Sequence, residues 1–156
     1  MRFSAPDSPV IPSIEVLWDP KKDEYLVVSH AHDYERGINT TAGIEIHFNC
    51  QEMETQGLPY VLKDLEGFME RRRQTRTVDR EAAFREARRR NEVYKLLSIN
   101  SVRNGDAHYL DIYPMVNERG HLGSMSVESG PLRLALPTTS EQFLETIKTA
   151  FSQIPT

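Results

Sequence analysis

The chain has one cysteine, one tryptophan and eight glycines in 156 residues, and these shortages remove several classes of protein before any motif is read. A lone cysteine, Cys50, excludes an intrachain disulfide framework and every multi-cysteine zinc site, and it fits a reducing compartment. Nowhere do 18 apolar residues run together, and Met1 to Pro12 lacks the apolar run of a secretory leader. The expectation is a cytoplasmic protein with no membrane span and no secretion signal. Gly120 and Gly123 stand apart, and Gly105 belongs to a turn, so no glycine-rich loop is present to cradle a phosphate. Neither nucleotide binding nor any other cofactor is expected.

What is present suits one ordinary domain with a core. Hydrophobic residues make up 38% and charged residues 27%, at a mean hydropathy of −0.53, a soluble composition on the polar side. The formal charge of −4 is unevenly spread: from Lys63 to Lys95 eleven Lys or Arg face seven Asp or Glu, a local excess of four that leaves −8 for the remainder. Such asymmetry suits a polyanion-binding surface and equally an acidic docking face elsewhere.

Residues 1–12, with Pro6, Pro9 and Pro12, read as an extended leader, and the domain is expected over 13–156. Ile14, Val16 and Trp18 alternate with Glu15 and Leu17, and the Asp19-Pro20 turn leads to a β-rich run from Tyr25 to His30, which together predict a hairpin. A loop is expected from Asp33 to Thr41, then a strand in which Ile44, Ile46 and Phe48 alternate with polar residues. Pro59 marks the expected start of a helix whose stripe is Val61, Leu62, Leu65, Phe68 and Met69. A second helix is expected from Thr77 or Asp79, with Phe84, Ala87, Asn91 and Tyr94 inward, either continuous with the first or separate from it. From Tyr94 the period changes to that of a strand, Asn104-Gly105 is a strong two-residue hairpin signal, and Tyr109 to Met115 is the return strand. Met125 and Val127 mark one more short strand. The expected fold class is α+β, a single domain with a largely antiparallel sheet and two or three packed amphipathic helices.

Two clusters invite a catalytic reading. On a strand His30 and His32 point the same way, as two metal-binding imidazoles must, with Asp33 or His47 available to complete a site. The metallo-β-lactamase-like motif, however, continues with an Asp-His pair two residues on, where this chain reads Asp33-Tyr34-Glu35. Without a well-spaced third or fourth ligand no bound metal is expected, and a hydrolase using His30 and His32 is kept as the second alternative. Cys50 and His47 fall on opposite faces of a strand, so a buried or partly buried structural cysteine is expected rather than a nucleophile.

The arginines from Arg71 to Arg90 support a nucleic-acid-binding module as the first alternative. Yet Glu81 with Arg85 and Glu86 with Arg90 are i,i+4 pairs in the favourable order, the decoration of an ordinary solvated helix.

The terminal stretch carries the clearest pattern. Leu132, Leu134 and Leu136 alternate with Arg133 and Ala135; Thr138 and Thr139 each precede Glu141 or Gln142 by three residues, as capping boxes do; and Phe143, Leu144, Ile147, Ala150, Phe151 and Ile154 form one apolar stripe. This strand, Pro137 turn, cap and helix resemble the closing stretch of immunity proteins from bacterial contact-dependent growth inhibition systems, which commonly place Leu-Gly where this chain has Phe143-Leu144. The resemblance covers about 20 residues, Leu132 to Ser152. It implies a small cytoplasmic protein that binds a cognate toxin domain and blocks its active site, with no catalysis of its own. The expected contact residues are Arg72, Arg73, Arg76, Arg85 and Arg89, which neither apolar stripe requires and which belong to a type favoured at interface centres.

Overall fold

Alternation in β1 (Ser13–Asp19) sends Ile14 and Val16 to one face and Leu17 to the other, and all three are buried. A strand covered on both faces belongs inside a sheet. β1 lies between β2 (Glu24–Asp33) and β4 (Lys95–Asn104), antiparallel to both. The computed structural model describes residues 10–34, 37–71, 85, 89–90, 92–117, 124–126 and 130–155. Within them the seven-stranded sheet runs β3 (Ile38–Asn49), β2, β1, β4, β5 (Ala107–Asn117), β6 (Ser124–Ser126), and β7 (Leu132–Ala135) also pairs with β5. Every pairing is antiparallel. Pro114 lies in the gap between the stretch of β5 that pairs with β7, ending at Ile112, and the stretch that pairs with β6, starting at Met115. With helices α1 (Cys50–Glu66) and α2 (Ser140–Ser152) packed on it, the protein is a single α+β domain.

The turns follow their residues. The Asp19 carboxylate accepts from the Lys21 amide at 2.9 Å and the Asp19 carbonyl from the Asp23 amide at 2.8 Å, closing the β1–β2 connection. Asn104 pairs with Ala107 across a two-residue loop, where Gly105 takes a φ of 62° that a side chain would resist.

Two expected boundaries move. The loop expected from Asp33 to Thr41 is mostly strand: β2 continues to Asp33 and β3 starts at Ile38, with Asn39 opposite His32 and Thr41 opposite His30. The Asn39 amide hydrogen-bonds the Ser13 hydroxyl and the Ile11 carbonyl, each at 2.7 Å, so polar contacts hold this end of β3 where apolar alternation is missing. Nor does α1 start at Pro59. It starts at Cys50, because the Asn49 side chain accepts from the Glu52 amide at 2.8 Å while the Glu52 carboxylate accepts from the Asn49 amide at 3.0 Å, a reciprocal cap. Pro59 sits inside the helix on its exposed side. The buried stripe is Met53, Leu58, Val61 and Leu65, with Phe68 in the 3-10 turn that follows; Met69, expected in the stripe, is exposed.

α2 forms as its sequence predicts. Thr139 caps it, accepting from the Gln142 amide at 3.1 Å, and all six residues of the stripe are buried. They meet Ile14, Val16, Tyr25, Val27, Leu97, Ile99, Leu110 and Ile112 from the sheet and the inner stripe of α1 in one core. Phe151 stands 5.5 Å from the ring of Trp18. Leu17, Leu26 and Val28, on the sheet's other face, form a separate cluster with Tyr94 and Leu96. Of the second expected helix, only residues 85, 89–90 and 92–93 are described, and they are helical; Phe84, Ala87, Asn91 and its proposed start lie outside the described residues.

Candidate functional site

The face of the sheet turned away from α1 and α2 carries most of the polar chemistry, because it takes the alternate residues of the same strands. One step beyond the Ile14–Ser29 pair, Ser13 reaches across to His30. The His30 Nε2 lies 3.0 Å from the Glu15 carboxylate, so that nitrogen donates, and Nδ1 accepts the Ser13 hydroxyl at 2.7 Å. The Asn39 amide nitrogen donates to the same hydroxyl oxygen, and its oxygen accepts from His32 Nδ1 at 2.8 Å. A serine, histidine and carboxylate in sequence have the order of an activated nucleophile. Ser13, however, is 4% exposed and its hydroxyl is engaged on both sides, so the oxygen is not presented to a substrate. The arrangement pins β1, β2 and β3 together.

The candidate metal pair of the second alternative is therefore divided: His30 is bound toward β1 and His32 toward β3, while His47, opposite Leu26, is exposed four residues further along β2. Among the described residues no three His, Cys, Asp or Glu side chains converge as ligands. Cys50 is the first residue of α1 and exposed, against the expectation of a buried or partly buried cysteine, because the chain leaves the strand at Asn49.

On the helix-side face, the Ser29 hydroxyl donates to the Asp64 carboxylate of α1, which also holds Arg71 at 3.1 Å. Arg71 in turn donates to the His30 carbonyl at 2.5 Å. The first arginine of the basic region is thus spent inside the fold, and Arg90 pairs with Glu45 of β3 at 2.6 Å. Neither is an idle cation waiting for phosphate. Arg85 and Arg89 are exposed; Arg72, Arg73 and Arg76 lie outside the described residues, as do Glu81 and Glu86.

Sequence reasoning passed over a further arginine. Arg133 of β7 stands opposite Asp111 of β5, and its Nε and one Nη donate to the two carboxylate oxygens at 2.8 and 3.0 Å. The Asp111 side chain is 7% exposed and that of Arg133 55%, while the guanidinium lies 4.7 Å from the ring centre of Tyr109. The bond to Asp111 raises the Arg133 pKa, fixing its charge. Elsewhere burial, with Asp23 next, pushes Tyr25 up to about 12, and burial followed by Arg103 lowers His108. The signal available for Arg133 was its place on the outward face of a leucine-alternating strand.

No protein-family model and no curated protein matches the sequence. The fold does have a counterpart among solved structures, a chain that superimposes on this one along nearly its whole length. It is a chain of the CdiA-CT/CdiI toxin and immunity complex from Yersinia pseudotuberculosis, with a TM-score of 0.57 at 13% identity, covering 96% of this chain and 100% of that one. At that identity the likeness shows a shared fold.

Proposed function

We propose that this protein is an immunity protein of a contact-dependent growth inhibition system, which binds a cognate toxin domain in the cytoplasm and blocks its active site without catalysis of its own. The observation that carries this reading is the end-to-end fold likeness to a chain of a toxin and immunity complex. The terminal strand, cap and helix, whose sequence resembles the close of such immunity proteins, support it independently. The nucleic-acid reading loses Arg71 and Arg90 to internal partners, and the hydrolase reading loses His30 and His32. Arg85 and Arg89, exposed on a helix, are the described part of the proposed contact surface, where cations steer an acidic partner patch.

Co-expression with the toxin domain encoded beside its gene tests the proposal. Growth should be restored and a stoichiometric complex should co-purify. A folded protein that neither binds nor protects against that toxin overturns it.

A further inference from the structure

Arg133 is an exposed side chain held by two directed bonds and a ring contact. Two of its donors are fixed on Asp111, which is itself almost wholly buried, and the plane of its guanidinium is supported by Tyr109. Long surface side chains ordinarily lose rotamer freedom when a partner fixes them, and that loss weakens binding. Here the ordering has been done by folding. The side-on edge of the guanidinium, Nε with one Nη, faces Asp111, which leaves the end-on edge, one N–H from each Nη, without a protein acceptor among the described residues.

The pair is also electrically closed. Asp111 cancels the charge of Arg133, so the open edge is a directed donor fork with no net charge behind it. Such a fork fits oxygen acceptors, and a backbone or side-chain amide carbonyl can meet it without a second charge having to be desolvated. Tyr109, Asp111 and Tyr113 are alternate residues of β5 on the face turned away from the helices, both tyrosines are half-buried, and the Tyr109 ring lies against the guanidinium. Aromatic and arginine side chains in one ordered patch are what the energetic centre of a protein interface is made of.

Resting on the immunity reading above, we infer that the Arg133–Asp111–Tyr109 cluster is an anchor of the toxin interface, donating from the end-on edge of Arg133 to main-chain or amide carbonyls of the toxin domain. It acts on the lifetime of the complex. Arg85 and Arg89 act on the encounter.

The test is a kinetic binding measurement with the full chain and its neighbouring toxin domain at low and high salt. Arg133→Lys keeps a cation beside Asp111 and loses the fork; it should raise Kd tenfold or more, almost entirely through a faster dissociation rate, with the salt dependence of association unchanged. Because Arg133→Ala leaves a buried carboxylate unpaired, the paired change Asp111→Ala with Arg133→Ala, checked by its melting curve, supplies the second arm and should give the same faster dissociation. Wild-type dissociation rates in both variants overturn the anchor while leaving the immunity reading intact. A loss confined to association at low salt also overturns it, since that is the mark of steering. If the wild-type chain itself does not bind, the immunity reading fails, and the anchor falls with it.

Discussion

The two faces of the sheet are built from the same strands and serve different ends. On the helix side β1, β2, β4 and β5 present Ile14, Val16, Val27, Leu97, Ile99, Leu110 and Ile112, and two helices close over them. On the other side the intervening residues include Ser13, Glu15, His30, Tyr109 and Asp111, broken by one small apolar cluster around Leu17, Leu26 and Val28. One face is specified by shape and exclusion of water. The other is specified largely by directed bonds.

The largest expected effect lies on the helix side. Ile147 is fully buried between α2 and the sheet, and Ile147→Ala should cost about 2–5 kcal/mol through lost burial and the cavity left behind. Urea melts measure it. A loss within about 0.5 kcal/mol would mean that the helix does not close the core and would erase the distinction between the faces.

Arg71 tests the seam between the two sides, since it joins Asp64 of α1 to the backbone of His30. Arg71→Ala leaves a carboxylate 6% exposed with Ser29 as its remaining bonded partner among the described residues. A destabilisation of about 1–3 kcal/mol is expected, the cost of an incompletely satisfied buried group. Combining it with Ser29→Ala should give a non-additive total, because both side chains serve one carboxylate. Strict additivity in a double-mutant cycle would show that the two contacts are independent.

A smaller effect is expected at the exposed arginines. Reversing Arg85 and Arg89 to Glu should leave stability within about 0.5 kcal/mol. With toxin present it should slow association mostly at low salt, where exposed charges act over the longest range. Unchanged association at low salt would remove this surface from the proposal without touching Arg133.

The faces also differ in how much of them was legible beforehand. Period-two alternation shows the helix-side core directly, and the Asn104-Gly105 turn and the α2 stripe need no tertiary knowledge. The start of α1 was hidden because Cys50 to Gln56 holds Met53 as its large apolar residue inside the fold, although Asn49 and Glu52 stand at capping-box spacing. The polar face was nearly unreadable. Ser13 and His30 are 17 residues apart, and Arg133 and Asp111 are 22 apart, so each partnership depends on which strands pair. The β5–β7 pairing skips over β6, which no local pattern announces. Contact residues proposed from composition alone therefore favoured the arginine-rich segment over a single arginine placed by the sheet.

The smallest effect concerns pH and the far end of the helix-side face, where His108 bonds Ser101 through Nε2 at 2.7 Å and stands opposite Arg103. Burial first, and then the Arg103 charge, lowers the His108 pKa from its ordinary 6.5. The folded chain thus holds this proton less tightly than the unfolded chain does. Above the unfolded value both states are neutral and the contribution to stability is fully present; as pH falls through it the unfolded chain takes up the proton first, and stability is lost down to the folded value. His108→Gln keeps a hydrogen-bonding group toward Ser101 and has no proton to gain, so it should flatten the decline in urea midpoint between pH 7.5 and 5.5. Since the ring is partly solvated, the difference should be modest, and smaller at high salt where the Arg103 contribution is screened. An unchanged decline in the variant would assign the acid sensitivity to groups other than His108.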